Sequence, residues 1–525
     1  MADEFARTGT ADTTTSASSV TGSDDRSSPA FPHPTYTKRE RRWKKCRAFM
    51  GESDDIREGR EDYLPRIGSS EGDASYEFRL TLVAVTNFFK RAVLASVGLL
   101  LEKDPEIGDD MPAKLVVFAE DINLEGKHLS VYAKELTTDY VVDGFAATLV
   151  DFPKLDDPNL DWSRASHAAV LARQAGGEID GADQAALGMR PFFVKYTRSE
   201  ILKVVFGKVH GIRVKMLVVL RETNERLTGE FGIENVTQYR VFRLTPAGAT
   251  WELWESTDSS TSARRTHDPE ILRVGGKPAR RIPVSLLGDF DGLPLLENLA
   301  DLNIEHHNIK TNMRNLETKA MVPTRVRMGA PRDAEGNYPE LLYGPDQVIE
   351  VPVMEGVQRP IYWDSPDVAV LDPAARSLQD VKADIGTAAL NFLAPDKRVA
   401  ETAESKRIDS AAQNASLSSV GRAVQDHIEE CFGFAAEMIS EKGGSVTINT
   451  DFEESPLDAS EMTAYLQAAI NGKLSTEQFI EAWKRGKRLD ESLDASAEAE
   501  KILRENQLPP EPSQPTDTIP PATAE

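Results

Sequence analysis

The side chains best suited to hold a metal ion in this sequence are the adjacent histidines His306 and His307. Neighbouring residues of a helix point about 100° apart, so the pair cannot chelate one ion as a short unit. His306 also falls on a heptad stripe, where a single polar residue more often sets the register of helix packing than binds metal. We therefore predict no metal site and no cofactor.

Acidic clusters are the second place where a cation could bind. They occur at Asp289–Asp291 and at Glu453-Glu454, but a chain with 85 Asp and Glu residues produces such clusters by chance. Solvated surface is the better interpretation, and the spacing gives no sign of the convergent carboxylates that a nuclease needs. The sequence contains no P-loop, Gly-x-Ser-x-Gly, His-Glu-x-x-His or Cys-x-x-Cys motif. We predict that the protein is not an enzyme.

Net charge and composition limit the kinds of partner and cellular compartment that this protein can have. A net charge of −24 disfavours non-specific binding to phosphates. Any DNA partner is therefore expected to move past the protein without being tightly bound. Two distant cysteines, Cys46 and Cys431, predict neither a disulfide framework nor a thiolate metal site, and they favour a reducing compartment. The most apolar stretch, Leu80–Leu101, is interrupted by Lys90 and Arg91, and neither half reaches the roughly 20 residues of a membrane span. We expect a soluble protein.

Two heptad stripes dominate the second half of the chain. The first stripe comprises Leu295, Leu299, Leu302, His306, Ile309, Met313, Leu316 and Ala320. The second stripe comprises Leu371, Ala374, Leu378, Val381, Ile385, Ala388 and Phe392. Alternating steps of three and four place one residue per turn on a single helix face, which then needs a partner. The pattern predicts two long helices, and the second opens with Asp372 as N-cap and Pro373 at the first helical position.

A third long helix is predicted over 402–441, ended by Gly443-Gly444. The segment 322–365 between the striped helices holds three short strand-like pieces, PTRVRMG, QVIEVPVM and RPIYW. Its 44 residues are too few for an independent sheet with a core, so we expect free edges that pair between subunits. A single strand is predicted over Ser445–Phe452.

The first half of the chain is predicted as mixed α/β structure. Residues 190–255 alternate β-branched and aromatic runs with Gly-containing turns, which is typical of antiparallel sheet. Val141–Pro153 predicts a glycine turn and an apolar strand, and Ile282–Gly288 predicts the last strand of this lobe. Tyr76–Leu101 is predicted as one long helix, stopped before Pro105.

Four other segments complete the prediction. Residues 1–36 and 509–525 are rich in Ser, Thr, Gly and Pro and should be disordered. Residues 156–189 are predicted as an inserted, mobile surface loop. Two or three helices are predicted within 456–507, where Ser475–Gln478 resembles a helix-start signal.

The basic run Lys38–Arg47 allows two interpretations. It forms a charged amphipathic helix that packs Trp43 inward, or it contacts nucleic acid or an acidic neighbour. The first interpretation is favoured.

Three groups of residues resemble the portal proteins of tailed bacteriophages, in particular a portal-like family long described as of unknown function. The N-terminal group is Tyr63-Leu-Pro-Arg66, Ser75-Tyr76-Glu-Phe-Arg79-Leu, Asn87-Phe, and Gly98 through Asp104-Pro105. The second group is Thr402-Ala-Glu404-Ser405 with Asp409, Leu417 and Asp426 further along the helix. The third is Ile282-Pro-Val, which leads into the first striped helix. The resemblance covers about residues 37–440, and the order of the motifs makes the set more specific than any one of them.

The resemblance implies an α+β, portal-type fold with a division of the chain as follows: disordered tail 1–36, mixed α/β wing 37–294, stem helix one 295–321, small β clip 322–365, stem helix two 366–393, channel (tunnel) loop 394–401, long channel helix 402–441, returning wing strand 442–455, helical crown 456–508 and disordered tail 509–525. On this expectation the stem packs between helices and between subunits through Leu299, Leu302, His306, Ile309, Met313, Leu316, Leu378, Val381 and Ile385.

The function implied is a ring at one capsid vertex of the virion, assembled in the cytoplasm of the host bacterium. Twelve subunits are expected, as in the family. The ring would be the channel for packaging and ejection of double-stranded DNA without sequence specificity. Its other partners would be the major capsid protein, the terminase and the head–tail connector, with no membrane.

The channel loop would comprise Pro395, Asp396, Lys397 and Arg398, and Thr402 and Glu404 would open the long helix. Lys397 and Arg398 then form two basic rings that touch the DNA backbone without reading bases, or they are an ordinary solvated loop tip. Two other functions stay open: a minor structural head or tail protein without a DNA channel, and an enzyme that processes nucleic acid with a site discontinuous in sequence.

Overall fold

The computed structural model describes residues 27–153, 162–174, 179–257, 262–321, 324–328, 348–351, 361–364, 368–390, 403–450, 467, 475–485 and 494–507. These fall into two compact units, one up to Thr450 and one from Asp451 onward. The prediction of a mixed α+β protein is confirmed, since helices and strands are both abundant. None of the described helices is both long enough and apolar enough to cross a membrane.

The described helices of the first unit are α1 (Pro34–Met50), α2 (Ser53–Glu58), α3 (Asp73–Thr81), α4 (Phe88–Leu100), α5 (Ala113–Phe118), α6 (Leu129–Asp143), α7 (His167–Gln174), α8 (Gly181–Ala186), α9 (Glu297–Met321), α10 (Leu371–Leu390) and α11 (Ala403–Met438). Those of the second unit are α12 (Thr476–Arg485) and α13 (Ala495–Gln507). Ser475 begins α12 as its sequence indicates, because its Oγ accepts a hydrogen bond from the Gln478 N–H at 3.1 Å.

The described strands are β1 (Glu106–Ile107), β2 (Ala146–Asp151), β3 (Phe192–Tyr196), β4 (Ile201–Val209), β5 (Ile212–Thr228), β6 (Gly232–Thr245), β7 (Gly248–Ser256), β8 (Ala263–Ile271), β9 (Arg273–Val274), β10 (Lys277–Pro278), β11 (Val284–Leu287), β12 (Thr324–Met328), β13 (Val348–Val351), β14 (Ile361–Asp364) and β15 (Val446–Thr447). β4 to β8 form a five-stranded antiparallel sheet in sequence order. β2 lies between β11 and β3 in a second antiparallel sheet. The antiparallel sheet predicted over 190–255 is therefore confirmed.

The core of the first unit lies between these two sheets and the helices that cover them. α1 packs Tyr36 and Trp43 into it, and both side chains are buried. α6 and α11 cover β2, and the rings of Phe118, Phe193 and Phe432 meet edge to face with centroids 5.1 to 5.8 Å apart. This packing fixes the end of α11 that carries Phe432 against the sheet.

The turn from α6 into β2 depends on Gly144. Its φ of 73° lies in the left-handed region, and a side chain at this position would meet the backbone carbonyl of Leu293. The residue therefore ends α6 and lets the chain that leads into α9 approach closely. The predicted glycine turn and apolar strand are confirmed.

The prediction of one helix over Tyr76–Leu101 is wrong. α3 ends at Thr81 and α4 begins at Phe88, because the first N–H groups of α4 bond to side chains instead of a preceding turn. Asn87 accepts from the Lys90 N–H at 2.9 Å. The Phe88 and Phe89 N–H groups donate to Asn303 of α9, at 2.8 and 3.1 Å.

The predicted limits of two irregular segments are also wrong. Residues 27–36 are ordered rather than part of a disordered tail: the His33 N–H donates to the Leu202 carbonyl at 3.0 Å, and Tyr36 is buried. The described part of 156–189 is not a mobile loop, since it holds α7 and α8. These helices share a small core of Ala169, Ile179, Leu187 and Met189. Residues 1–26 lie outside the described residues.

Smaller differences concern element ends. α10 begins at Leu371 after a 3-10 turn at Val368–Val370, so Asp372 and Pro373 are its second and third residues rather than its N-cap and its first position. Proline is tolerated there because the first N–H groups of a helix have no intrahelical partner. Of the strand predicted at Ser445–Phe452, the described residues 445–450 contain β15, which pairs with β1, and residues 451–452 lie outside the described residues.

Candidate functional site

The candidate site is the pair of striped helices, α9 and α10, which pack against each other. The buried line of α9 runs in steps of four through Leu299, Asn303, His307, Thr311 and Asn315. Of the predicted stripe, Leu299 and His306 are buried, whereas Leu302, Ile309, Met313 and Leu316 are only half-buried. The apolar stripe of α9 is thus turned partly away from the core of its own chain.

α10 shows the same division over a shorter length. Val381 and Ile385 are buried, at 6% and 3% exposure, whereas Leu378 is half-buried. The two buried residues lie one turn apart and anchor the helix on its neighbour. Phe392, the last residue of the predicted stripe, lies outside the described residues.

The buried face of α9 is held by polar contacts that the sequence did not reveal. Asn303 is fully buried, and besides capping α4 it donates from Nδ2 to the Thr86 carbonyl at 3.1 Å. Two turns further on, Lys310 Nζ donates to Thr86 Oγ1 at 2.9 Å. Because the break between α3 and α4 exposes unpaired backbone groups, α9 presents amide and ammonium groups to it. An asparagine directly after the stripe residue Leu302 is the sequence signal of this contact.

His306 and His307 are both buried but have different surroundings. The His306 ring meets Phe88 edge to face at 5.0 Å. Desolvation by burial lowers the pKa of both imidazoles, and that of His307 falls to about 4. Both rings are therefore neutral at physiological pH. Within the described ranges no three His, Cys, Asp or Glu side chains are grouped so that they could hold a metal ion.

The N-terminal motif residues contact one another and α9. Arg79 is 1% exposed and pairs with Glu71 at 2.8 Å, while its Nη2 donates to the Pro65 carbonyl at 2.7 Å. The Tyr76 hydroxyl donates to the Leu64 carbonyl at 3.0 Å. The Arg79 Nη1 also donates to Asn312 Oδ1 of α9 at 3.4 Å. The motif thus forms a buried ion-pair clamp at the side of α9.

Removing one charge of this clamp should destabilise the protein. Glu71→Gln leaves Arg79 buried without its carboxylate, and we expect a loss of roughly 3 kcal/mol, measured as a lower thermal midpoint. Glu77→Gln is the matched control, since Glu77 and Arg60 form an exposed pair that water screens, so its loss should leave the thermal midpoint nearly unchanged. Equal midpoints for the two variants would contradict a structural role of the clamp.

A second polar cluster anchors α11 on the sheet of β2 and β11. His427 is buried, with its Nε2 2.8 Å from Thr148 Oγ1 and its Nδ1 3.0 Å from Ser285 Oγ. Tyr132 continues the chain of hydrogen bonds, with its hydroxyl 2.6 Å from the Thr148 hydroxyl. Sequence analysis missed this cluster, because His427 and Thr148 are 279 residues apart and no spacing links them.

This histidine should make the stability depend on pH. Burial lowers the pKa of His427 to about 4, whereas the unfolded chain keeps the ordinary value of 6.5. As the pH falls below 6.5, this histidine becomes protonated in the unfolded chain but stays neutral in the native state. The free energy of unfolding therefore decreases. Between about pH 7.5 and about pH 5.5 the loss from this group is roughly 1 kcal/mol.

The measurement is a series of thermal midpoints over that range for the parent and for His427→Asn, which does not titrate. Asp143, whose pKa burial raises to about 6, acts in the opposite direction but equally in both proteins. The variant should therefore show the smaller loss on acidification. Identical pH profiles would contradict the prediction.

The remaining predicted site residues lie in or next to the segment 391–402, which is outside the described residues. Pro395, Asp396, Lys397, Arg398 and Thr402 lie outside the described residues, and Glu404 lies in the first turn of α11. The three strands predicted in the clip are present: β12 pairs with β13 in parallel and with β14 antiparallel. They pair within the chain, and β13 and β14 are the edge strands of this sheet.

Residues 294–439 match the model of a domain of unknown function (DUF4055). The matched segment contains α9, the clip strands, α10 and α11, which is less than a third of the chain. No curated protein matches the sequence.

Proposed function

We propose that the protein is a portal protein of a tailed bacteriophage: a ring at one vertex of the capsid through which double-stranded DNA is packaged and ejected. The observation that carries the proposal is the half-buried apolar stripe of α9, at Leu302, Ile309, Met313 and Leu316. A helix with such a stripe needs a further partner, and neighbouring copies in a ring supply it.

The order of elements supports the same function. A 25-residue helix, a small sheet, a 20-residue helix and a 36-residue helix follow one another inside the segment that matches the domain of unknown function. At about 1.5 Å per residue, the longest of them spans roughly 54 Å. This succession corresponds to the stem, clip, stem and channel helix that the motif resemblance implies.

The charge of the chain fits a channel for moving DNA. Each copy carries −24, so a ring presents a strongly acidic body that repels phosphates. DNA can then pass without tight, immobilising contacts. Terminase and the head–tail connector would dock on such a ring, and the major capsid protein would surround it.

The mass of the purified protein tests the ring. Twelve copies of 57.8 kDa should give a particle of about 690 kDa by light scattering, through head-to-tail contacts that close on themselves. Electron microscopy of the same sample should show a central hole. A stable monomer at high concentration would contradict the proposal.

Two further measurements separate the portal from other functions. A portal occupies one vertex of the particle, whereas a minor structural protein without a channel has no such restriction, so imaging of labelled particles distinguishes them. Nuclease and ATPase assays with divalent cations should show no activity.

A further inference from the structure

The five-stranded sheet has an unusually long hairpin. β5 and β6 remain paired up to Thr228 and Gly232, whereas β4 leaves β5 at Leu220 and β7 leaves β6 at Gln238. The distal half of the hairpin is therefore a two-stranded ribbon without backbone pairing to the other described strands, although Arg226 at its base reaches Glu255 of β7 at 3.0 Å. A ribbon of this kind buries little surface in its own chain.

The end of the ribbon carries three large apolar side chains, which we call the tip cluster: Leu227, Phe231 and Ile233. Their exposed fractions are 75%, 85% and 64%. Leu227 and Ile233 are direct cross-strand partners, so their side chains share one face, and Phe231 lies in the connecting turn. Clustered apolar groups at the end of a projection are typical of a contact surface.

The opposite end of β5 borders a cavity of about 500 Å³, here called the β4–β5 pocket. It is lined by His33, Val204, Val205, Phe206, Arg213, Asp289, Phe290, Asp291 and Gly292. Val205 in its wall is 38% exposed, so the apolar lining is open to solvent. The volume is sufficient for an aromatic side chain.

The charged side chains at the two ends, Arg213 and Glu230, have opposite sign, and neither has an ion-pair partner among the described residues. The Arg213 guanidinium lies 3.9 Å over the Phe206 ring, and no carboxylate of the described chain pairs with it. Asp291 on the other side of the pocket is already paired with Arg39 at 3.1 Å. Glu230 in the tip turn is exposed and likewise has no cation partner among the described residues.

The tip cannot reach the pocket of its own chain. From Arg213 to Thr228, β5 advances fifteen residues, which span roughly 50 Å at about 3.3 Å per residue. A projection and a recess at opposite ends of one rigid strand can meet only between copies, and such a contact is heterologous, as a ring requires.

We propose that the tip cluster of one subunit inserts into the β4–β5 pocket of a second copy of this chain, with Phe231 in the cavity and Glu230 paired with Arg213. This contact deepens the ring proposed above and depends on it.

Charge reversal in the full-length protein tests the docking. Glu230→Arg and Arg213→Glu should each weaken ring assembly by at least about tenfold, measured as the protein concentration at which rings dissociate in light scattering. Each single variant places like charges at every contact. Mixing the two variants should restore rings. In a ring in which the two variants alternate, the Glu230→Arg tip meets the Arg213→Glu pocket, so the charges are again opposite. At every second contact, the unchanged tip of one variant meets the unchanged pocket of the other, which is the native pair.

Val117→Ala is the matched control, since Val117 is 72% exposed on α5 and outside the tip and the pocket. It should leave the dissociation concentration unchanged. Thermal midpoints should be compared for dissociated subunits, with the parent and each variant held below its own dissociation concentration. The midpoints should be equal, because the tip and Arg213 are exposed and their replacement does not disturb the core.

Cross-linking gives an independent measurement. In the double variant Phe231→Cys, Val205→Cys, oxidation should produce a ladder of covalent oligomers, and the native Cys46 and Cys431 are buried and do not interfere. Parental rings in both charge variants, or rings without a ladder, would overturn the docking while the ring itself stands. A monomeric parent would overturn the ring and the docking together.

Discussion

Replacing Ile309 and Met313 together by glutamate should convert the ring into folded monomers. Both side chains lie on the half-buried stripe of α9, so the chain itself tolerates polar atoms there. In the proposed ring, a neighbouring copy would cover the same positions, and burying an unpaired carboxylate costs several kcal/mol. With a penalty at every contact, association should weaken by far more than about tenfold.

Light scattering measures the mass, and circular dichroism shows whether the monomer is folded. Lys319→Glu is the control: Lys319 is exposed on the same helix, and its reversal makes the same change in net charge as the double variant. It should leave the ring intact. Rings of parental mass in the double variant would remove the α9 stripe from the interface.

Replacing Lys397 and Arg398 with alanine or glutamate should leave ring assembly unchanged but prevent most particles from packaging or retaining a full genome. The motif resemblance assigns these residues to the narrowest part of the channel, where two basic rings would touch passing phosphates. In the proposed channel of a chain with net charge −24, these two cations would supply the attraction to the phosphates at that point. Removing them leaves the DNA without an attractive contact at that point.

The measurement is the amount of nuclease-protected DNA per particle. A matched control removes the same charge from the exposed surface of α10, by Arg376→Ala together with Lys382→Ala. The control should package as the parent does. Normal packaging by the Lys397 and Arg398 variant would contradict the assignment of the loop.

The basic run near the N-terminus shows how the tertiary structure selects between two interpretations of one pattern. The prediction that it forms a helix with Trp43 inward is confirmed by α1. Its cations pair with acidic residues of the same chain, including Arg42 with Glu297 at 2.8 Å. Charge alone indicated an acidic neighbour, but only the fold placed the first turn of α9 beside α1.

The sequence by itself determined the periodic elements. Heptad spacing identified α9 and α10, because a helix that packs along one side must repeat every three or four residues. Alternating apolar residues and glycine turns identified the sheet over 190–255 for the same reason, with a period of two. Local chemistry also set some ends, such as Ser475 before α12.

Only the tertiary structure decided which groups meet. It placed Asn303 on the backbone of α4, broke the predicted helix at 82–87, and paired Arg79 with Glu71 beside α9. It also joined His427 to hydroxyls of two strands, and separated the tip cluster from the pocket by the length of β5. These contacts link residues distant in sequence, and local spacing carries no information about them. Periodicity fixes that a face must be buried, whereas the choice of its partner depends on shape, charge and hydrogen bonds that exist only once the chain has folded.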